Sequence, residues 1–267
     1  MASRAAIYSK LAGSRIRSQT QYRLSFVLQL VGTFFFTFLD FVTVLVIFHH
    51  LPVLAGWSLP EIAFLYGSSY MAFKAADLLM TNFDKLPLLI RLGTFDQLLT
   101  RPLGTLGQVV TTDIGIRQVA SIAQGAAVFG YALNRLNIDW TLDRALLLPA
   151  MIVSAFLIFC SIFVATNAIA FWTTDAREVA NSFTYGGQFV TQFPMNIFGT
   201  WFRRLLGFVI PLAFVNYFPS LHLLGKADPL NAPTVFRFAS PLVAALTVVV
   251  AAGIWRASVR HYRSTGS

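Results

Sequence analysis

Charge is what this sequence has least of. Only 12% of its 267 residues are Asp, Glu, Lys or Arg, about half the ~25% expected of a soluble domain. Charges cannot cover a soluble surface at that density, which argues against an ordinary cytosolic enzyme and a disordered chain. The composition also argues against a nucleic-acid-binding domain, although the net charge is +9. Cysteine is nearly absent: Cys160 stands alone in an apolar run, so no intrachain disulfide is possible and packing is its expected role. No G-x-x-x-x-G-K-[ST] cradle for ATP phosphates occurs, nor H-E-x-x-H or G-x-S-x-G. The pair Gly225-Lys226 lacks both the upstream glycine and the following hydroxyl residue. His49, His50, His222 and His261 have no metal-binding spacing.

What is present is apolar sequence, 56% of the chain. A helical crossing of a bilayer needs about 20 apolar residues. The first run, 24–48, is broken only by Asp40 and follows Arg4, Lys10, Arg15, Arg17 and Arg23. It is too long for a cleavable signal, and no small-residue cleavage site follows. Within 1–23, Ile7, Leu11 and Ile16 share roughly one helical face, as a helix lying on the membrane surface requires. The second span starts after Ser58, where Glu61 completes the spacing of a capping box and Pro60 sits in the first turn. It runs to about residue 80 and is the least apolar, carrying Lys74 and Asp77. The third, 109–133, places Asp113 and Arg117 at i,i+4, where they are expected to pair. The fourth, 145–172, is free of charge.

The fifth, 181–200, carries Gln188, Gln192 and Asn196 along one helical face, and a last span covers 240–255. Between them, 205–224 contains Pro211 and Pro219 and either crosses or dips in and returns. The positive-inside rule decides: with six spans, twelve Lys and Arg fall in inner segments and five in outer ones. A seventh crossing would carry Arg256, Arg260 and Arg263 outside. The expected architecture is therefore an all-α membrane protein. One transmembrane domain, 1–267, has a surface helix in 1–23, an inner loop at 81–108 and an outer re-entrant region at 201–236. All five tryptophans, at 57, 140, 172, 201 and 255, fall at expected span ends, as an aromatic belt predicts.

The inner loop sets apolar anchors, Phe95, Leu98 and Leu99, among charges, and Gly93 and Pro102 bracket a short helix-length piece. It reads as a docking surface for a partner or as a helix resting on headgroups. The stretch Ile90-Arg91-Leu92-Gly93-Thr94-Phe95-Asp96-Gln97-Leu98-Leu99-Thr100-Arg101-Pro102-Leu103 resembles the "basic-x-Gly-x-x-Asp-x-x-Leu-x-Arg-Pro-Leu" segment of ABC type-2 exporter permeases. Phe171-Trp172-Thr173, Phe193-Pro194, Trp201-Phe202-Arg203 and the 208–214 stretch resemble the same family in the same order. The resemblance implies an in-plane N-terminal helix, six spans, a coupling helix between the second and third, and a re-entrant hairpin between the fifth and sixth. It also implies pairing of two permeases, as homodimer or heterodimer, each docking an ATPase subunit that holds the ATP and Mg. This chain itself is expected to bind no cofactor or metal and to have no catalytic residue. By position, Arg91, Gly93, Phe95, Asp96, Leu99, Arg101 and Pro102 are the expected main coupling element. Asp175, Arg177 and Glu178 are the expected second contact.

A carboxylate near mid-bilayer costs about 2.5–3.5 kcal/mol on insertion scales, so Asp40 should face protein or water. It lines a pathway, or is a structural or protonated group. Phe35 and its neighbouring phenylalanines form an apolar wall toward a substrate, toward lipid or toward another helix. Gln188, Gln192 and Asn196 mark a polar pathway or interhelical hydrogen bonds. Arg203, Arg204 and Pro211 are candidates for an outer gate, the arginines alternatively anchoring at headgroups. The expected function is a permease subunit of an ATP-driven exporter in contact with membrane lipids, in a bacterial plasma membrane with both termini cytoplasmic. The alternative is an ion-coupled secondary transporter or channel using Asp40 and Asp77, although no inverted repeat is evident. A lipid-modifying enzyme lacks the necessary acid, base and metal groups.

Overall fold

A computed structural model describes residues 8, 13–14, 18, 23–50, 53–173 and 176–262. The expected surface helix in 1–23 falls almost wholly outside the described residues, as do Asp175 and the side chain of Asp40. Six longer helices organise the chain: α1 (Arg23–His50), α2 (Leu59–Met80), α6 (Gln118–Arg135), α7 (Leu142–Asn167), α8 (Ala176–Thr191) and α11 (Ser240–His261). Short helices fill the connections: α3 (Leu86–Arg91), α4 (Asp96–Leu99), α5 (Thr105–Thr112), α9 (Thr200–Arg204) and α10 (Tyr217–Leu223). A two-residue hairpin, β1 (Val53–Leu54) with β2 (Trp57–Ser58), leads into α2.

The helices differ in both burial and polarity. Helix α1, the segment Leu142–Phe171 and α11 are long and apolar enough to cross a membrane. A bent pair, Thr200–Gly207 with Leu212–Leu223 at 72°, adds a broken span or a re-entrant loop. Helix α2 is the centre of the bundle, buried continuously from Ile62 to Tyr70 and packed on α6 and α7. Helix α11 packs on α7, and α1 packs chiefly on α6. Chains facing protein need not be apolar in the way that lipid-facing ones must. This is an all-helical membrane protein.

Glycine decides how closely α2 and α6 approach. A Cβ on Gly67 would lie 2.6 Å from the Phe129 amide nitrogen, and one on Gly125 would lie 3.0 Å from that of Met71. Each helix thus presents bare backbone to the other, the small-residue contact typical of membrane bundles.

Three sequence expectations change. The third span is split: α5 ends at Thr112, Asp113 is extended, residues 113–117 are not helical, and α6 starts at Gln118. Gly115 donates its N–H to Leu78 O at 2.9 Å, drawing the break against the end of α2. Asp113 therefore does not stack with Arg117 along one helix; it takes the ammonium of Lys85. The fifth span ends at Thr191, because Pro194 cannot continue a hydrogen-bonded helix. Gln188, Gln192 and Asn196 consequently do not share a helical face. The tryptophan belt is also only partly right. Trp140, Trp172 and Trp201 are exposed, but Trp57 and Trp255 are buried.

Candidate functional site

The bundle has two dissimilar ends. One gathers the C-terminal ends of α2, α7 and α11, the N-terminal end of α8 and the whole 81–117 segment. That segment is a folded platform rather than a loose connection. Asn82 donates to Val109 O at 2.9 Å, and the Gln108 amide donates to Leu98 O at 2.8 Å and Leu103 O at 3.0 Å. Gly93, at φ 69°, makes the left-handed turn between α3 and α4.

The coupling candidates divide accordingly. Phe95 is fully buried, its ring 5.1 Å from Phe171 and 5.0 Å from Tyr262. It seats the platform on the helix ends and is withdrawn from any partner's reach, which corrects its expected place on the docking surface. Leu98 is buried too, whereas Leu99, Arg91, Arg101 and Pro102 are exposed and Asp96 is half-buried. Leu88 and Leu92 join them at 44% and 60% exposure, an apolar contribution that the motif did not single out. Burial, with Asp96 beside it, pushes the Tyr262 hydroxyl up to about 12.

The second expected contact is tied to the first. Arg177 donates from Nη2 at 3.0 Å and Nε at 3.3 Å to the backbone oxygen of Asp84, while Glu178 is exposed. The Tyr185 hydroxyl donates to Asp84 Oδ2 at 3.1 Å. Burial raises the Asp84 carboxyl above its ordinary range, against the Tyr185 hydrogen bond and the Arg177 charge that lower it. Arg177 and Tyr185 thus tie α8 to the platform at Asp84. Sequence reasoning missed Asp84 and Tyr185, and it read Trp255 only as a span-end residue. Trp255 donates from Nε1 to Thr105 Oγ1 at 3.2 Å and packs against Phe83 and Phe171.

In the interior, Asp77 is buried and receives Gln118 Nε2 at 2.7 Å, with Lys74 Nζ at 3.6 Å. Lys74 also lies over the Phe73 ring at 5.3 Å. Further along, Ser69 and Thr191 share a hydroxyl hydrogen bond. Asn216 donates to Thr191 O at 2.7 Å and Leu65 O at 2.9 Å. These residues tie α2, the end of α8 and the bent segment into one polar knot. Gln188 and Gln192 are buried near it in sequence, but Asn196 instead donates to Ala55 O at 2.9 Å. Phe35 is exposed on α1 and is not brought to the glutamines, since α1 packs on α6 and α8 on α7 and α2.

The opposite end carries β1, β2 and residues 195–236. Lys226 donates to Glu61 Oε1 at 2.7 Å and to Gly56 O at 3.0 Å, and lies 5.0 Å over the Trp57 ring. His222 Nε2 meets Asp143 Oδ2 at 2.6 Å. Arg203 and Arg204 line a cavity of 380 Å³, and Pro211 lines a second of 590 Å³. Among the described residues no group of three or more His, Cys, Asp or Glu is placed to hold a metal.

Apolar-faced helices, a folded platform at one end and a bent helix pair at the other define an integral membrane protein. The family profile described as ABC-2 family transporter protein matches residues 34–266, and the chain belongs to that family. No curated protein and no solved structure matches it.

Proposed function

We propose that this chain is the permease subunit of an ATP-driven exporter, docking a separate ATPase that binds ATP and Mg. The platform at 81–117 carries this reading. It packs and hydrogen-bonds against four helix ends, yet presents Leu88, Leu92 and Leu99 with Arg91 and Arg101 at its surface. A segment fixed inside and apolar outside can transmit a push from a bound partner to the bundle. Helices α1, α2, α6, α7, α8 and α11 are read as six crossings, the bent pair as re-entrant, and both termini as cytoplasmic in a bacterial plasma membrane. Two permeases, identical or related, would enclose the route between them.

The closing of the ATPase pair would drive the platform toward the membrane and carry the start of α8 with it through Arg177 and Asp84. The polar knot at Asn216 would pass that movement to the hairpin. The ion-coupled alternative is less favoured, because Asp77 is occupied by Lys74 and Gln118.

Copurification of an ATPase and ATP-dependent transport in proteoliposomes test this reading. Asp96→Arg with Arg101→Glu is expected to abolish ATP-dependent transport while leaving membrane insertion intact. Unchanged transport after both reversals would refute docking through this surface.

A further inference from the structure

Two cavities adjoin at the bent segment, and Gly207 lines both. The smaller, 380 Å³, is walled by Met195, Ala213, Phe218 and Phe236, with Arg203 and Arg204 beside them. No acidic side chain lines it among the described residues. Arg203 Nη2 donates to the neutral Thr200 Oγ1 at 3.1 Å, and among the described residues no carboxylate lies within ion-pair distance of either arginine. Asp228, the chain neighbour of the lining residue Pro229, keeps its negative charge nearby but forms no ion pair with either arginine. Its carboxylate accepts from the Tyr217 hydroxyl and from the Leu230 and Ala232 amides. Arg203 is half-buried against the apolar wall and Arg204 is exposed beside it, and a guanidinium partly withdrawn from water holds an anion more strongly than one in bulk water.

The larger cavity, 590 Å³, lies between α7, α8, α11 and the π-helical turn Leu205–Val209. It has no charged lining residue among the described ones. Its three hydroxyls turn back on their own helices: Ser161 to Leu157 O at 2.8 Å, Thr166 to Ile162 O at 2.7 Å, Thr247 to Ala244 O at 2.8 Å. Along α11 the lining runs from Val243 to Ile254, about 17 Å at the helical rise per residue. Between the two cavities stands Gly207, where an added Cβ would meet nothing within 4 Å.

We infer that the two cavities form one site for an anionic amphiphile. Its phosphate or carboxylate head sits between Arg203 and Arg204, and its hydrocarbon chain passes Gly207 into the apolar cavity. A free anion would leave the apolar cavity unfilled. A neutral lipid would bring no anionic group to Arg203 and Arg204.

As a substrate site this rests on the permease reading; as a binding site it stands on the lining alone. The test therefore uses the purified full chain in neutral maltoside micelles without ATP or ATPase. Loss of ATP-driven transport would not alter its outcome. Native mass spectrometry titrates palmitoyl lysophosphatidylglycerol, palmitoyl lysophosphatidylcholine and glycerol phosphate. The wild type is expected to prefer the anionic lipid by about tenfold, equivalent to ~1.4 kcal/mol, and to bind glycerol phosphate more weakly than either lipid. Arg203→Gln with Arg204→Gln should erase the preference, and Arg203→Lys with Arg204→Lys should largely keep it. Gly207→Phe should weaken both lipids. Val250→Trp, which fills the apolar cavity from α11, replaces it should the glycine variant not fold. Equal binding of the two lipids by the wild type would overturn the inference. So would a preserved preference in the double glutamine variant, unweakened lipid binding in the cavity-filling variant, or glycerol phosphate binding as tightly as the anionic lipid.

Discussion

Asn216 gives both amide protons to carbonyls of separate elements, Leu65 O on α2 and Thr191 O at the end of α8. No apolar side chain can replace it there. Asn216→Leu is expected to lower the unfolding free energy by about 2–4 kcal/mol, since each stranded buried acceptor is expensive. Denaturant titration in detergent measures this. Asp84 offers a pH test. Its folded carboxyl binds a proton more tightly than the ordinary value of 3.8. Its contribution is therefore fully present below that value and is lost as pH rises through the raised one. The apparent Tm should fall across that interval, and Asp84→Asn should flatten the dependence. Thermal scans at a series of mildly acidic pH values would show it. Of these residues, the sequence exposed only the ones with local partners. Ser58 and Glu61 stand three apart, and their bond at 2.7 Å was readable from spacing. Lys226 reaches the same glutamate from 165 residues away, and nothing local announces it.

Helix packing is where the glycines act. Gly67 stands against the Phe129 backbone, whereas a Cβ on Gly130 would meet nothing within 4 Å. Gly67→Ala should therefore force α2 and α6 apart and destabilise by about 1–3 kcal/mol, the usual range for overpacking. Gly130→Ala should leave stability unchanged or raise it by up to ~1 kcal/mol through helix propensity. Chemical denaturation of the pair decides whether the α2–α6 contact is as close as the backbone geometry requires. The same element scale shows where periodicity misleads. Residues 109–133 read as one span because hydrophobicity carries no record of the break at 113–117. That break depends on Gly115 fitting beneath the end of α2. Phe95 misled for the related reason that an aromatic residue in a polar loop serves equally as an exposed anchor or as a plug. Only its packing against Phe171 and Tyr262 distinguishes the two.

Across the whole molecule, the arrangement of ends makes a topological prediction. Leu92 is exposed on the platform and Asn231 is exposed at the hairpin end. With Cys160→Ala removing the buried native thiol, Asn231→Cys should react with an impermeant maleimide in intact cells. Leu92→Cys should react only after permeabilisation. Labelling of both from the same side would reject the six-crossing reading and the orientation of the platform together.

The sequence by itself determined the apolar helical class, the family and the existence of a structured segment near residues 90–103. These follow from composition, run length and short-range spacing, which are properties of neighbouring residues. The tertiary structure decided which helices lie inside and where the third and fifth spans break. It also decided which platform residues face outward and which cavities meet at Gly207. Those depend on contacts between residues far apart in the chain. Such contacts are set by how closely backbones can approach and by which buried polar groups find partners.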